Sequence, residues 1–230
     1  MDASPLARIA RHQAQETPSR LALSFENRHI TYQELNRRAD QVARGLWTAG
    51  AYGGRRVATV LGCCPELYEV GVAAARAGAV LVPLAQSLSA ERILEVLKDC
   101  RPRAIFVSPQ SMQRLEPIRL QLYFVELIVV TGQHFSDWRS HQVDCPGEVS
   151  PWVGDVMLQS YSWDACGSPC PVRLKRADLR SDFPQLVANG APVLGEDDSL
   201  VDIPSQTEPV HGLLTGLAAL VCGVHVRLHD

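Results

Sequence analysis

The sequence lacks the long apolar runs that membrane-spanning and secreted proteins need. No stretch approaches the roughly 20 apolar residues that cross a bilayer. The first 15 residues contain Arg8, Arg11 and His12 and no apolar core of a secretory signal. These absences predict a cytoplasmic protein without a membrane partner.

An excess of charge of one sign is also missing. The 22 basic and 25 acidic residues are mixed along the chain and give a net charge of -3. Because no basic field is present, we expect no nucleic-acid partner. The seven cysteines are odd in number and scattered, whereas a disulfide scaffold shows a short, dense pattern. The sequence therefore predicts reduced thiols.

Internal repeats, low-complexity tracts and a Gly-x-Ser-x-Gly turn are absent as well, so a Ser-His-Asp nucleophile is not indicated. What the sequence has is an ordinary globular composition, 46% hydrophobic over 230 residues, which is ample for one sizeable core.

Short apolar segments alternate with helical patterns along the chain. The predicted strands cover residues 21–25, 57–61, 80–82, 104–107, 124–130, 156–161, 200–203 and 224–228. Strands buried on both faces and separated by helices are typical of βαβ units. The predicted fold class is α/β, with a mostly parallel β-sheet flanked by helices.

Two segments interrupt this rhythm. Residues 131–151 contain two glycines, two prolines and many polar residues, and predict a surface loop. A polar, proline-broken stretch follows residue 161, and the sequence then predicts helices over 179–188 and 212–221.

Several segments resemble the adenylate-forming superfamily, which includes acyl-CoA synthetases and the adenylation domains of peptide synthetases. Residues 30–35 read ITYQEL and are similar to its first core motif, and residues 75–84 read ARAGAVLVPL and are similar to its second. Residues 63–66 (CCPE), 88–92 and 204–223 resemble three further segments in the same order. An unrelated α/β domain with coincidental matches is the alternative.

The resemblance implies one domain over residues 1–230, the N-terminal part of such a ligase without its C-terminal lid domain. Family members use ATP and Mg²⁺ and continue into an adenine-binding segment and a lid that carries a catalytic lysine. It also places His211 and Gly212 near the family's acyl pocket, although a histidine before a helix is more often a packing or capping residue.

The family's phosphate loop reads tyrosine-threonine-serine-glycine-threonine-threonine-glycine-x-proline-lysine-glycine. Glycine backbone N–H groups, hydroxyls and the lysine hold the ATP phosphates in such a loop. The matching stretch here keeps four of the family's features, at Tyr161, Ser162, Gly167 and Pro169.

The rest of this stretch departs from the pattern in ways that weaken phosphate binding. Asp164 replaces the first glycine and adds a negative charge, and Cys170 replaces the lysine. Pro171 has no N–H to donate. Because losing one preorganised donor costs about 3 kcal/mol of transition-state stabilisation, we expect negligible ATP binding and no cofactor.

Other residues near this loop have competing interpretations. Arg173, Lys175, Arg176 and Arg180 are either an alternative anion site or, as charged residues usually are, a solvated helix start. Cys166 and Cys170 are either a metal or redox pair or two unconnected loop thiols. The second interpretation is favoured because zinc sites need four ligands.

The sequence thus predicts a non-catalytic, truncated adenylation-like domain that acts as a binding or interaction module near an acyl-activating or peptide-synthetase pathway. The alternative is one part of a split or longer ligase that activates a carboxylic acid with ATP, which the following reading frame would reveal. A third possibility is a decayed gene fragment. Truncation after the helix at 212–221 exposes apolar surface or a strand edge, so we expect a protein partner or self-association to cover it.

Overall fold

The structure, a computed structural model, describes residues 5–143, 154, 156–175 and 200–229, with side chains from residue 11 onward. Its helices are α1 (Pro5–Glu16), α2 (Tyr32–Thr48), α3 (Pro65–Ala77), α4 (Ala90–Cys100), α5 (Pro109–Leu115), a 3₁₀ turn (Glu116–Gln121), α6 (Gln133–Ser140) and α7 (Pro209–Val221). The strands are β1 (Leu21–Phe25), β2 (Arg28–Thr31), β3 (Arg56–Val60), β4 (Val80–Leu84), β5 (Ala104–Val107), β6 (Leu127–Val130), β7 (Val156–Trp163), β8 (Pro169–Lys175), β9 (Leu200–Pro204) and β10 (His225–His229).

These strands form two sheets in the described part of the chain. One has the order β2-β1-β10-β9 and the other β6-β5-β3-β4-β7-β8. Only the β1/β2 and β7/β8 pairs are antiparallel, and the other six pairs are parallel. The predicted α/β class with a mostly parallel sheet is confirmed, and the parallel strands are divided between two sheets.

The main core lies between the two sheets. Side chains of α2, α3, α6 and α7 pack there against Leu23 and Val226 of one sheet and Val57 and Phe106 of the other. A second core on the far face of the six-stranded sheet is formed with α4 and α5. Strands β3 to β5 are therefore covered on both faces, which explains why their residues show no apolar–polar alternation.

Local signals in the sequence place several helix ends correctly. The Thr31 hydroxyl accepts a hydrogen bond from the Glu34 N–H at 3.2 Å and begins α2. Helix α3 ends at Gly78, whose φ of +65° is a left-handed conformation that glycine adopts without a steric cost.

The segment over 131–151 is not a continuous loop as predicted, since α6 occupies its first half. Phe135 is fully buried against Phe106, and Trp138 makes an edge contact with the same ring at 5.6 Å between centroids. The two aromatic residues pack this otherwise polar eight-residue helix against the core, and its sequence lacks the apolar periodicity that would predict a helix.

The polar, proline-broken stretch after residue 161 is also different from the prediction, because residues 169–175 form strand β8. Pro169 and Pro171 alternate along β8 and so remove N–H groups from one edge only. An edge strand tolerates this loss. Arg173 and Lys175 consequently lie on a strand and not at a solvated helix start, while Arg176, Arg180 and the helix predicted over 179–188 lie outside the described residues.

The strand predicted over 124–130 is shorter, since β6 begins at Leu127. Helix α7 is largely buried, with Leu213, Leu217 and Leu220 inside the main core, whereas Val221 at its end is exposed. Strand β9 is the last strand of its sheet in the described part, and the uncovered surface expected near the end of the chain stays a prediction.

Candidate functional site

A crevice lies where the strands of both sheets end. Two adjoining cavities of about 340 and 380 Å³ share the residues that follow β3, β4 and β9, namely Gly62, Gln86, Ser205 and Gln206. Ser108 and Thr131, which follow β5 and β6, line the larger cavity. Open α/β sheets bind their ligands at this edge.

The course of the helices explains why the crevice opens here. Helix α3 follows β3 into the core between the sheets, whereas α5 follows the neighbouring strand β5 onto the opposite face. Chains that leave adjacent strands in opposite directions separate their connecting loops and open a gap between them. Gly62 lets the sheets approach closely, because a Cβ there would lie 3.1 Å from the Ser205 carbonyl oxygen.

The ion pair between Arg28 and Glu66, 2.7 Å apart, lines the larger cavity beside Cys63 and Cys64. Burial raises the pKa of the Cys63 thiol to about 12, and burial also raises the pKa of Cys64. Both groups are therefore protonated at neutral pH and poor nucleophiles.

Helix α7 begins at the wall of the smaller cavity. The Glu208 carboxylate accepts the His211 backbone N–H at 2.9 Å and so begins the helix. The side chain of His211 is exposed and does not line either of the two cavities in the described part of the chain. Gly212 is buried, and a Cβ there would lie 2.2 Å from Cys63 Sγ. An acyl-pocket role for His211 and Gly212 stays a prediction.

The predicted phosphate-loop residues lie on a hairpin. Tyr161 and Ser162 are on β7, Asp164 and Gly167 are in the turn, and Pro169 begins β8. Cys170 follows on β8, directly opposite Ser162. The stretch is therefore two paired strands joined by a five-residue turn.

Asp164 occupies the backbone N–H groups of this turn. Its carboxylate Oδ1 accepts the N–H of Cys166 at 2.9 Å and that of Ser168 at 2.7 Å. The Gly167 N–H donates to the Asp164 carbonyl, and the Asp164 N–H donates to the Ser168 carbonyl. Four of the five N–H groups from residue 164 to residue 168 thus have acceptors within the hairpin.

Arg92 of α4 contacts the same turn through its guanidinium group. The Arg92 guanidinium lies 4.2 Å from the centre of the Trp163 ring and donates to the Gly167 carbonyl. Gly167 has a φ of +78°, and a Cβ there would approach Arg92 Nη2 at 3.2 Å. Arg92 therefore binds the turn's backbone and one of its aromatic side chains.

Tyr161 is bound at the base of the hairpin. Its hydroxyl donates to the Asp99 carboxylate and accepts from Gln159 Nε2 at 2.5 Å. Burial, followed by the hydrogen bond to Asp99, raises the pKa of Tyr161 above its ordinary value. The phenol is therefore a protonated structural donor in this arrangement.

Sequence reasoning left three features of this region unassigned: the position of Ser205 and Gln206 in the crevice, the Arg28–Glu66 pair and the Arg92 contact. The position of the Ser205–Gln206 loop follows from the rule that ligands bind beyond the carboxyl ends of parallel strands. The contact between Arg92 and Trp163 joins residues 71 positions apart, and no local pattern in the sequence predicts it.

The described residues offer neither a metal-ligand cluster nor a membrane-spanning helix. Among those described, no group of three or more His, Cys, Asp or Glu side chains is arranged to hold a metal ion. Within the described residues, none of the helices combines the length and apolar character needed to cross a membrane. Cys166 is exposed and Cys170 partly buried, and both are free thiols.

Comparison with known proteins gives a family match. The profile of the family described as "AMP-binding enzyme" matches residues 10–160, about two thirds of the chain. The match ends one residue before Tyr161, where the phosphate-loop stretch begins.

Curated relatives include a fatty acid–acyl-carrier-protein ligase, ScoC, from Streptomyces coeruleorubidus. It is 30% identical over 159 residues, which cover 68% of this chain and 30% of the relative. Tyrocidine synthase 1 from Brevibacillus parabrevis is 26% identical over 174 residues, covering 74% of this chain and 15% of the relative. The chain thus spans less than a third of the length of either relative.

Solved structures share the fold. The inhibitor-bound N-terminal domain of FACL13 from Mycobacterium tuberculosis superposes with a TM-score of 0.85 at 21% sequence identity. The superposition covers 97% of this chain and 56% of that domain. At this identity the similarity establishes the architecture alone.

Proposed function

The chain belongs to the AMP-binding enzyme family of adenylate-forming ligases, and from that premise we propose that it is a non-catalytic member. It corresponds to an N-terminal portion of the family's ligases. In this proposal it acts as a cytoplasmic binding or interaction module near an acyl-activating or peptide-synthetase pathway.

The observation that carries the proposal is the internal occupation of the hairpin turn. A phosphate loop works because its backbone N–H groups have no protein acceptor and are directed at the ligand. Here the Asp164 carboxylate takes two of them and backbone carbonyls take two more. An incoming phosphate would have to displace a negative charge that is covalently attached to the turn, and Cys170 provides no countercharge for it.

The scaffold around this turn is intact, which supports a binding role. Both sheets, the core between them and the crevice at their carboxyl ends are formed. The departures from the phosphate-loop pattern lie in the hairpin, and the described sheets and cores are formed around it, so a folded surface is available for binding.

Isothermal titration of the full chain with Mg²⁺–ATP tests the proposal. We expect no saturable heat at millimolar ATP. A dissociation constant in the micromolar range would contradict it.

Matched variants test the physical reason. The double variant Asp164→Gly/Cys170→Lys frees the two N–H groups that the carboxylate binds and adds a cation, so we expect measurable ATP binding. Asp164→Asn/Cys170→Lys adds the same cation but retains an acceptor for these N–H groups, so it should gain less affinity. Equal gains in the two variants would refute occupation of the N–H groups as the barrier.

The coverage of the relatives supports one other candidate function. Because the relatives and the solved domain extend well beyond the matched region, the chain fits equally a part of a split or longer ligase. Pyrophosphate exchange with ATP and a panel of carboxylic acids, measured with and without the separately produced remaining portion of a relative such as ScoC, distinguishes the two. Exchange that depends on this chain would establish the ligase function and refute the non-catalytic one.

A protein partner or self-association at the β9 edge remains part of the proposal. A sheet edge exposes unpaired backbone groups that a further strand can bind. Size-exclusion chromatography with light scattering tests self-association, and a monomer at all concentrations would exclude it.

A further inference from the structure

Two apolar side chains project into solvent at the corner where the 3₁₀ turn leads into β6. Leu120 is 95% exposed and Tyr123 is 79% exposed, the highest values among the large hydrophobic residues that the structure describes. Leu122 between them is buried. The corner therefore has a core anchor of its own, and Leu120 and Tyr123 contribute little to it.

Arg101 and Phe124 contact the exposed side chain of Tyr123. Arg101 Nη2 donates to the Tyr123 hydroxyl at 3.3 Å, and the same guanidinium lies 5.8 Å from the centre of the Phe124 ring. The rings of Tyr123 and Phe124 pack edge to face with centroids 5.5 Å apart. Tyr123 is thus oriented before any partner arrives, which lowers the entropy that binding loses.

Arg101 makes these contacts from an unfavourable backbone conformation. It follows α4 with a φ of +44°, and in the described chain only Glu26 is another non-glycine residue with positive φ. The left-handed region costs a non-glycine residue about 1–2 kcal/mol, and glycine would avoid this cost. At this position Arg101 makes the contacts with Tyr123 and Phe124 that a glycine would lack.

Basic groups border the apolar pair. Lys98 Nζ binds Gln121 Oε1 at 2.8 Å, between the two exposed residues in sequence. Within the described residues neither Lys98 nor Arg101 lies within ion-pair distance of a carboxylate. Both cations can therefore pair with acidic groups from outside without breaking an internal salt bridge.

We propose that this corner patch, formed by Lys98, Arg101, Leu120 and Tyr123, is a docking surface for an acidic amphipathic helix of a partner protein. Tyrosine is enriched among the residues that carry most of the binding energy in protein interfaces, and Leu120 adds exposed apolar area three positions earlier in the chain. The flanking cations favour a helix with Asp or Glu beside its apolar positions. The inference rests on the proposed interaction function and names the chemistry of the partner.

Site-specific photo-crosslinking tests the proposal. The full chain carrying benzoylphenylalanine at Leu120 is irradiated in a soluble extract of its source cells, and crosslinked peptides are sequenced. A matched chain carries the same group at Tyr52, an exposed aromatic residue stacked on Trp47. We expect an adduct at position 120 only, on a segment with apolar and acidic residues at helical spacing.

Charge reversal makes the test specific. Lys98→Glu/Arg101→Glu should reduce the adduct at least tenfold, and replacing the acidic residues of the identified segment by lysine should restore it. An adduct that persists after charge reversal, or no adduct at all, would refute the proposal. Thermal melts of each variant verify that the chain is folded.

A negatively charged membrane is the other surface with matching chemistry. Stable membrane binding needs a long amphipathic face or a cluster of many basic residues, which two apolar side chains and two cations do not provide. Sedimentation with phosphatidylglycerol–phosphatidylcholine vesicles should therefore leave the chain in the supernatant. Vesicle binding that Leu120→Ser abolishes would refute protein docking. The nucleotide titration is read independently, since Leu120→Ser leaves the hairpin unchanged, and failure of one proposal is distinguishable from failure of the other.

Discussion

The close contact between α3 and α7 supports the wall of the crevice and makes a quantitative prediction. A Cβ added to Gly216 would lie 2.3 Å from Tyr68 Cε1 and 2.7 Å from its hydroxyl oxygen. Tyr68 is fully buried, and its hydroxyl donates to the Gly212 carbonyl at 2.8 Å. Gly216→Ala must therefore displace the ring, one helix or both.

Three effects set the expected size of the change. Overpacking a core costs about 1–3 kcal/mol. Displacing the ring leaves the buried Tyr68 hydroxyl without its acceptor, at about 1–3 kcal/mol. Replacing glycine by alanine in a helix interior stabilises the helix by about 1 kcal/mol. The net loss should be about 1–5 kcal/mol, and each kcal/mol lowers Tm by roughly 2–4 °C in a chain of this length.

Urea denaturation followed by circular dichroism measures this loss, with Gly71→Ala as the matched control. Gly71 lies inside α3, where an added Cβ meets the end of the Leu213 side chain at 3.1 Å and that of Leu81 at an ordinary contact distance of 3.8 Å. That variant should be unchanged or up to about 1 kcal/mol more stable. If Gly216→Ala destabilises the chain no more than Gly71→Ala, the contact with Tyr68 is not the constraint inferred here.

Three further outcomes are expected. Iodoacetamide at pH 8 should modify the exposed Cys166 and leave Cys100 unmodified in the folded chain, because burial raises the pKa of Cys100 to about 12. Equal modification of the two thiols, measured by mass spectrometry, would be inconsistent with this burial. Glu69→Gln should destabilise the chain by about 3 kcal/mol in urea titrations, because Arg139 would lose the countercharge of this fully buried carboxylate and Arg38 would keep only its pair with Glu34. An unchanged midpoint would refute this. The hydrogen bond from Arg227 lowers the pKa of Asp202 in the folded chain. The pair therefore stabilises the fold at pH above the pKa of Asp202 in the unfolded chain, and this stabilisation is lost as the pH falls through the lowered pKa of the folded chain. Carbon-detected NMR titration should show a higher pKa of Asp202 in Arg227→Gln, and an unchanged pKa would refute this.

The framework of the fold could be predicted because its determinants are local. The hydroxyl of Thr31 and the glycine at position 78 mark helix ends that the structure reproduces. The apolar residues of β3 to β5 are buried on both faces and give continuous runs that indicate parallel strands.

What the sequence did not predict depends on contacts between distant residues. Helix α6 exists because Phe135 and Trp138 reach Phe106 on β5. The partition into two sheets follows from β1 pairing with β10, some 200 positions later. Sequence alone identified Asp164 as unfavourable for phosphate, but only the structure places its carboxylate on the neighbouring N–H groups.

The hairpin that Asp164 closes has one further consequence. A loop that waits for a nucleotide becomes ordered or loosens with the supply of that nucleotide. In this turn the anion that accepts the N–H groups of Cys166 and Ser168 is part of the polypeptide. The proposed loss of nucleotide binding therefore predicts that the hairpin has the same conformation with and without ATP.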